Sequence, residues 1–374
     1  MTTAEQLVRT LREAATREGF SLFGIAPAIP MPGYPNLLSW IDAGYAGNMD
    51  YFANRQDAYE HPGSVLEGAK SIIALAYPYD AADPTPIESG WGKVARYVWS
   101  GVDYHDTIHP KLKQLCGILL SECPESRARG VVDTAPLMER EIAKHAGLGW
   151  TGKNSLLLNK QQGSYFLLAC VLSDLELPYD HSHETDHCGT CRACLDACPT
   201  DAFPKPGVLD ASRCISYLTI EHRDPIPANL RDGIGEWLFG CDICQEVCPW
   251  NRKPTQRATR PDTALDTLDL SQLFELNDEE FRQRFRKTPL WRTRRRGILR
   301  NAAIVLGNQK CKSSLSALTR GLKDEEAVVR GASAWALGKI GGDRAKVVLE
   351  SSRVTERDPQ VLDEIKLAMS ILNQ

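Results

Sequence analysis

The sequence contains no long apolar run. No stretch of its 374 residues approaches the roughly 20 consecutive apolar residues that a membrane-spanning helix needs. Met1 to Gln6 also lack the basic flank and the apolar core of a signal peptide. These absences argue against a membrane-spanning segment and against export, so we expect a cytoplasmic protein that makes no membrane contact.

An excess of one charge sign is also missing, because the formal net charge is only -4. The chain therefore has no overall attraction for nucleic acid. Residues 282–300 differ: they include no acidic residue, and Phe285 and Trp291 are interleaved with basic side chains. Phosphate contacts beside stacking aromatics are typical of an RNA surface, and a solvated helix face is the alternative. The predicted RNA contacts are Arg282, Arg284, Arg286, Arg292, Arg294, Arg295 and Arg296.

The cysteines are concentrated in one part of the chain, since eight of the twelve lie between Cys188 and Cys248. Seven of these form two compact runs that each end in Cys-Pro, which differs from the distribution in a disulfide framework. The first run spells C-x-x-C-x-x-C-x-x-x-C-P. In two-cluster ferredoxins the fourth cysteine of this motif binds the other cluster.

The motif predicts two [4Fe-4S] clusters with crossed ligands. One cluster is assigned Cys188, Cys191, Cys194 and Cys248, and the other is assigned Cys198, Cys214, Cys241 and Cys244. A zinc site with four cysteines is the alternative, but it explains neither the third cysteine of the run nor the two Cys-Pro endings. A purely structural role for the clusters also stays open. Because adjacent clusters form a short electron path, we favour electron delivery to a reaction elsewhere in the chain.

Periodicity divides the chain into four predicted segments. Residues 1–178 mix helical patterns with strand-forming apolar runs, which predicts an α/β domain. In residues 179–254 cysteine, proline and glycine replace that pattern, as expected where metal bonds replace an apolar core. Residues 255–296 form a basic connecting segment. Residues 297–374 contain two related helical hairpins and a weaker third copy, which predicts a small helical solenoid.

Within the first segment the sequence predicts individual elements. Thr2 and Glu5 have the spacing of a capping box for a first helix. Strands are expected at 71–79, 131–132 and 165–172, and helices at 104–122 and 136–146. Gly147 to Gly152 spell G-x-G-x-x-G, but they follow a helix instead of opening one, so we reject a dinucleotide site. Electrons are then expected from an external protein donor.

Five strings occur together and resemble one family. They are Gly68-Ala69-Lys70-Ser71, Asp103-Tyr104-His105, Asp133-Thr134-Ala135-Pro136, Gly149-Trp150-Thr151-Gly152-Lys153-Asn154, and Cys241-Asp242-Ile243-Cys244-Gln245-Glu246-Val247-Cys248-Pro249-Trp250-Asn251. Through them the chain resembles the epoxyqueuosine reductases, from the first helix to the terminal repeats. The resemblance implies an α+β multidomain enzyme. Its parts would be a nitroreductase-like cobalamin-binding α/β domain, a ferredoxin-like two-[4Fe-4S] module and C-terminal α-helical repeats similar to HEAT repeats.

The resemblance also implies the activity. Such an enzyme reduces epoxyqueuosine to queuosine at the wobble position of a tRNA anticodon, with electrons passed through the clusters to cobalamin. Its partners would be tRNA carrying epoxyqueuosine and an external electron-donor protein, and it would act as a monomer. One alternative is a reductive dehalogenase-like enzyme acting on a small molecule, which needs no basic RNA surface. The other is a two-cluster electron carrier on a helical scaffold, which needs no large α/β domain.

Asp133 follows the apolar run Val131-Val132, at a strand end, where α/β domains place chemistry. The resemblance implies that it is the proton donor, and a carboxylic acid can protonate the oxygen of an opened epoxide. A cap for a helix starting at Pro136 is the alternative.

The chain lacks the D-x-H-x-x-G signature whose histidine is the lower axial ligand of cobalamin, because Ile108 occupies the expected glycine position. The implied cofactor contacts are Arg96, Tyr104, His105, Asp133, Lys153, Asn154, Gly163, Ser164, Cys241 and Asp242.

Overall fold

The computed structural model describes residues 3–79, 83–252 and 265–372, so residues 255–264 of the predicted connecting segment lie outside the described residues. The helices are α1 (Ala4–Arg17), α2 (Tyr34–Asp42), α3 (Tyr51–Asn54), α4 (Gln56–Glu60), α5 (Tyr104–Glu122), α6 (Glu139–His145), α7 (Ala193–Asp196), α8 (Ile215–Ile220), α9 (Ala228–Ile234), α10 (Ile243–Glu246), α11 (Leu270–Leu273), α12 (Asp278–Phe285), α13 (Arg294–Asn308), α14 (Leu315–Gly321), α15 (Ala327–Ile340), α16 (Asp343–Thr355) and α17 (Pro359–Leu372). The strands are β1 (Leu22–Pro27), β2 (Ser71–Pro78), β3 (Trp91–Val94), β4 (Ala128–Val131), β5 (Trp150–Thr151), β6 (Leu157–Leu158), β7 (Phe166–Ser173), β8 (Trp237–Phe239) and β9 (Thr267–Asp269). Within the described ranges, no helix is long and apolar enough to cross a bilayer.

The chain folds as two compact units, each built from three separate stretches. The first unit contains Met1–Ala82, Asp103–Ala211 and Ile243–Arg260. The second contains Asp83–Val102, Ser212–Asp242 and Pro261–Gln374. The functional division into four consecutive segments stays a prediction.

A four-stranded antiparallel sheet, in the order β1-β2-β7-β4, forms the core of the first unit. Residues 71–76 of β2 are buried without interruption, which indicates that both faces of this strand are covered. Helix α5 packs against β4 and β7, and α6 packs against β1, β2 and β7. The strands predicted at 71–79 and 165–172 are confirmed, whereas the strand predicted at 131–132 is Ala128–Val131.

Helix α5 begins with a side-chain cap, because the Asp103 carboxylate accepts the amide hydrogen of His105 at 3.0 Å. Ile108, Leu112 and Leu119 then recur at helical spacing on its buried face. The helix predicted at 104–122 is confirmed. Its first turn presents Tyr104 and His105.

Two helix starts differ from the prediction. The capping box of α1 pairs Thr3 with Gln6, one residue later than the predicted pair at positions 2 and 5. Helix α6 begins at Glu139 instead of Pro136. Gly147 follows its last turn with a φ of 77°, so the G-x-G-x-x-G string ends a helix, as predicted.

The second unit combines a three-stranded sheet with helical repeats. Strand β3 pairs in parallel with β8 and antiparallel with β9. Helices α13 and α14, and then α15 and α16, form successive hairpins that are followed by α17. Helix α13 is buried at every position from Gly297 to Gly307, so it is a central helix of this unit.

Candidate functional site

Four cysteines of the first unit border one cavity. Cys188, Cys191, Cys194 and Cys248 line a space of about 220 Å³, together with Lys153, Asn154, Leu158, His187, Pro249 and Trp250. A single water molecule needs only about 10–15 Å³, so a space of about 220 Å³ has room for a polynuclear cluster. The structure therefore brings together the four cysteines that the spacing assigns to one cluster.

The charges in this cavity favour a cationic occupant. Burial raises the pKa of Cys194, and the neighbouring Cys248 and Cys188 raise it further. Burial also raises the pKa of Cys248, to which Cys188 and Cys191 add. Thiolates this close repel one another, and bound iron cations relieve that repulsion. The donor set thus fits a [4Fe-4S] cluster.

Neighbouring side chains hold the loops that carry these cysteines. Lys153 Nζ donates to the carbonyl oxygens of Gly189 at 2.5 Å and Cys191 at 2.9 Å. Asn154 Nδ2 donates to the carbonyl oxygen of Cys244 at 3.4 Å. The family resemblance implied that Lys153 and Asn154 contact cobalamin. That contact stays a prediction, and the contacts observed for both side chains are with the cluster-binding loops.

Trp150 also adjoins the four-cysteine cavity. Its indole ring packs with Cys248 in a small apolar cluster, to which Cys188 and Trp250 contribute. Its Nε1–H group is buried and has no hydrogen-bond partner among the described residues. A buried donor of this kind costs free energy unless it finds an acceptor.

A buried amide network includes Gly163 and Ser164. Asn251 Oδ1 accepts the amide hydrogen of Ser164 at 2.7 Å, and the Ser164 hydroxyl donates to Gln245 Oε1 at 2.9 Å. Gly163 has a φ of 67°, and a Cβ atom there would collide with Asn251 Oδ1. Sequence reasoning missed Gln245 and Asn251 as individual contributors. The only sequence signal for these two residues was that both belong to the string starting at Cys241, one of the five on which the family resemblance rests.

The second predicted cysteine set is divided between the units. Cys198 and Cys244 belong to the first unit, and Cys214 and Cys241 belong to the second. Within the first unit, Cys198 Sγ accepts the amide hydrogen of Ala202 at 3.4 Å. Such N–H to sulfur bonds are among the factors that set cluster potentials.

Asp133 lies in the loop between β4 and α6 and has a left-handed backbone, with a φ of 55°. Its Oδ2 atom accepts a 2.5 Å hydrogen bond from the Tyr104 hydroxyl. His105 Nε2 lies 3.8 Å from the same oxygen, and His105 Nδ1 lies 2.8 Å from Asp103 Oδ1. About half of the Asp133 side chain is exposed (51%). The structure thus brings together three predicted site residues, Tyr104, His105 and Asp133, which lie up to 29 positions apart in the chain.

Asp133 does not cap the following helix. That helix starts at Glu139, its N-cap position is Met138, and no side chain makes the cap hydrogen bond. The alternative interpretation of Asp133 as a helix cap is therefore wrong. The sequence suggested it because Asp-Thr-Ala-Pro has the composition of a helix start.

A second carboxylic acid, Glu139, lies near Asp133 and was missed by sequence reasoning. Burial raises the pKa of Glu139 to about 8, and the charge of Asp133 raises it as well. Arg140 is exposed, yet burial lowers its pKa. Glu139 therefore adds a second ionisable carboxyl group to the surroundings of Asp133.

The remaining predicted cofactor contacts lie in the second unit. The backbone N–H of Arg96 donates to Asp242 Oδ2 at 2.7 Å, and Arg96 Nη1 lies 3.6 Å from that oxygen. Both side chains are buried, and the opposite charges of the Arg96 guanidinium and the Asp242 carboxylate neutralise each other. Cys241 precedes Asp242 in the chain.

The predicted RNA contacts differ in their surroundings. Arg295 is mostly buried and binds Asp324 at 2.6 Å, and Arg296 donates to the carbonyl oxygen of Arg223 at 2.9 Å. Arg292 is half-buried. The exposed members are Arg282, Arg284, Arg286 and Arg294. The Arg294 guanidinium lies 4.1 Å from the centre of the Trp291 ring, which leaves a cation beside an aromatic face.

Three parts of the chain match known family models. Residues 187–251 match the 4Fe-4S double cluster binding domain, residues 60–134 match Epoxyqueuosine reductase QueG, DUF1730, and residues 290–370 match HEAT repeats. These matches confirm the predicted two-cluster segment and the predicted repeats. The chain therefore has a mixed α and β architecture with a double-cluster segment and C-terminal HEAT repeats.

The chain also has relatives that match most of its length. It is 42% identical over 306 residues to the epoxyqueuosine reductase of Cyclobacterium marinum, covering 82% of this chain and 98% of that protein. It is 36% identical over 341 residues to that of Escherichia coli, covering 89% of each. A crystal structure of epoxyqueuosine reductase with an epoxyqueuosine-modified tRNA-Tyr stem loop superposes with a TM-score of 0.92 at 33% identity, covering 100% of both chains. A Bacillus subtilis epoxyqueuosine reductase whose catalytic aspartate loop is swung out of the active site superposes with a TM-score of 0.90 at 32% identity, covering 99% of this chain and 100% of that one.

Proposed function

The chain belongs to the epoxyqueuosine reductase family, and from this membership we propose that it reduces epoxyqueuosine to queuosine at the wobble position of tRNA, with Asp133 as the proton donor. The observation that carries the proposal is the similarity, over 100% of both chains, to the structure with an epoxyqueuosine-modified stem loop. A dehalogenase-like enzyme and a simple electron carrier are not favoured, because relatives 36–42% identical are reductases of this family.

The reaction removes the epoxide oxygen. Two electrons and two protons convert the epoxide into an alkene and water, so both C–O bonds break. The chain contains two [4Fe-4S] clusters, which deliver electrons one at a time. The first of them is held by Cys188, Cys191, Cys194 and Cys248 around the cavity of about 220 Å³. We assign the other to Cys198, Cys214, Cys241 and Cys244.

Cobalamin, which the family resemblance implies, would supply a strongly reducing cobalt centre when bound. We propose that it binds in the first unit, near Asp133, and that this unit is the nitroreductase-like cobalamin domain. Tyr104 and His105 are the predicted contacts nearest to Asp133. Their positions are fixed by the start of α5 and by Asp103.

The surroundings of Asp133 support its assignment as the proton donor. Its backbone is left-handed, and the Tyr104 hydroxyl fixes one carboxyl oxygen with a 2.5 Å hydrogen bond. In its acid form, the Asp133 carboxyl group can give its proton to the leaving oxygen. His105, 3.8 Å away and bound to Asp103, can return a proton to Asp133 after turnover. A catalytic aspartate loop in the Bacillus subtilis relative agrees with this assignment.

The tRNA contacts that we propose are the exposed basic side chains Arg282, Arg284, Arg286 and Arg294. Arg294 lies over Trp291, as expected where a cation and an aromatic ring meet a phosphate and a base. Arg295 and Arg296 support this surface from within, because both are engaged by other groups of the second unit.

We further propose a monomer in the cytoplasm that receives electrons from a separate donor protein.

The test is single-turnover conversion of an epoxyqueuosine-containing tRNA stem loop by anaerobically reconstituted, chemically reduced protein. Queuosine is expected in an amount equal to that of active enzyme, and none is expected when cobalamin is omitted. Conversion without cobalamin, or no conversion by protein that carries both clusters and cobalamin, would refute the proposal.

A further inference from the structure

Two neighbouring polar side chains lie in the interior of the second unit, on helix α13. Arg300 is 1% exposed and Asn301 is 0% exposed. A buried guanidinium or amide is costly unless its donors are satisfied. Their partners are therefore informative about why polar residues occupy a central repeat helix.

Asn301 connects two segments of the chain. Its Nδ2 atom donates to the carbonyl oxygens of Thr219 at 2.8 Å and Leu238 at 2.9 Å. Thr219 lies at the end of α8, and Leu238 is the middle residue of β8. The same two segments are joined a second time, because the amide hydrogen of Gly240 is donated to the Thr219 hydroxyl at 3.0 Å.

Arg300 fixes the end of α8 and the loop after it. It donates to the carbonyl oxygens of Leu218 at 2.6 Å, His222 at 2.8 Å and Asp224 at 2.8 Å. The last carbonyl groups of a helix have no partner within the helix. Arg300 and Asn301 supply those partners from α13, and Asn301 Oδ1 in turn accepts from Arg300 at 2.8 Å.

Each of the two connected segments borders a cysteine. Cys214 is the residue immediately before α8, and Cys241 follows β8 after a single residue, Gly240. Gly240 has a φ of 69°, and a Cβ atom there would lie 2.5 Å from Ala95 Cβ, so the turn into Cys241 is closely constrained. Thr219 lies five residues after Cys214, about 7.5 Å along a helix axis.

We infer that Asn301, with Arg300 beside it, is a positioning residue that sets the separation of Cys214 and Cys241 and thereby the properties of the second cluster. The inference rests on the proposed function, because it takes both cysteines as cluster ligands. Groups that orient metal ligands from the next layer change metal affinity about 10- to 100-fold when they are removed. The first helix of the repeats would then serve the electron path as well as the repeat surface.

The same helix provides a matched control. Asn308 Nδ2 donates to the carbonyl oxygens of Arg231 at 2.8 Å and Gly235 at 3.0 Å, so it also connects α13 to two backbone carbonyls. Neither of its partners lies next to a cysteine. Asn301 is fully buried and Asn308 is half-buried, so Asn301→Leu is expected to lower stability more. A role in general stability alone predicts that both clusters weaken together, whereas the positioning role predicts an effect of Asn301→Leu on the second cluster alone.

The experiment compares Asn301→Leu with Asn308→Leu in the full-length protein, without tRNA. Iron is counted after anaerobic reconstitution, the loss of each cluster to a chelator is timed, and both reduction potentials are measured by electron paramagnetic resonance. We expect Asn301→Leu to lose the second cluster about 10–100 times faster, or to retain about four irons instead of about eight, with the first cluster unchanged. Asn308→Leu should keep both clusters and both potentials.

Thr219→Val provides a milder test should Asn301→Leu not fold, because it removes the hydroxyl that accepts from Gly240 while keeping the shape. It should shift the potential of the second cluster alone. Unchanged clusters in both Asn301→Leu and Thr219→Val, or equal cluster loss in Asn308→Leu, would overturn the inference. Failure of the wild-type protein to take up two clusters would instead contradict the proposed function.

Discussion

Replacement of Asp133 by Asn separates proton donation from every other contact of this residue. Asparagine tolerates the left-handed backbone that the φ of 55° requires, so the loop should keep its conformation. The amide oxygen can still accept from the Tyr104 hydroxyl, which now lies at 2.5 Å from the carboxyl group. The side chain is half exposed, so the change creates no buried cavity. What is lost is the acidic proton.

The expected loss of rate follows from the proton transfer alone. A positioned general acid contributes about 10²- to 10⁴-fold. Asp133→Asn should therefore slow single-turnover conversion by at least about 100-fold, equivalent to about 2.7 kcal/mol of barrier. Iron content, cobalamin binding and stem-loop affinity should stay at wild-type values.

Two further variants make the result specific. Tyr104→Phe keeps the ring stacked on His105 at 4.4 Å but removes the hydrogen bond to Asp133, so we expect a loss of about tenfold, as for one hydrogen bond to a charged group. Asp103→Asn makes the same carboxyl-to-amide change at the cap of α5, where Asn caps as well as Asp, so it should cost less than Tyr104→Phe. Near wild-type conversion by Asp133→Asn would refute the assignment of the proton donor.

Three other predictions concern the clusters, the RNA surface and pH. Cys194→Ser should leave about four irons of about eight and remove the first cluster's signal, and iron analysis with resonance spectra checks this. The double variant Arg284→Glu with Arg294→Glu should reduce the number of counterions released on tRNA binding by about two, without changing the melting temperature of the protein. Arg295→Glu should instead lower the melting temperature, because Arg295 binds the buried Asp324. Glu139 has a folded pKa of about 8 against an ordinary value of 4.5, so the folded chain retains a proton that the unfolded chain has lost. The unfolding free energy of the cofactor-free protein should therefore fall as pH rises from about 4.5 to about 8, and Glu139→Gln should flatten that slope in urea titrations.

The sequence predicted best those features whose signal is local. Helix α5 was predicted with the correct bounds because its cap and its apolar spacing lie within one segment. The four cysteines of the cavity were predicted because the motif itself encodes their convergence. The first capping box was placed one residue early because positions 2 and 5 fit the same spacing rule as Thr3 and Gln6.

Features that depend on distant residues were not predictable. Strand β1 was missed because Gly24 and Pro27 weaken its pattern, and its pairing with β2 compensates only in the folded chain. The contact between Tyr104 and Asp133 spans 29 positions and has no sequence signal of its own. Residues 282–300 lack acidic residues in sequence, yet Arg295 meets Asp324 from the next repeat.

The pairing of β3 with β8 and β9 has a consequence for synthesis of the chain. Strand β3 ends at Val94, and its antiparallel partner β9 ends at Asp269, 175 residues later. At roughly 5–20 residues per second, a ribosome needs about 10–35 s to make that stretch. Strand β8 ends at Phe239 and is complete before β9, so β3 lacks both neighbours at first and then lacks β9 alone. Fragments that stop before β9 should therefore keep an unpaired, aggregation-prone edge on β3.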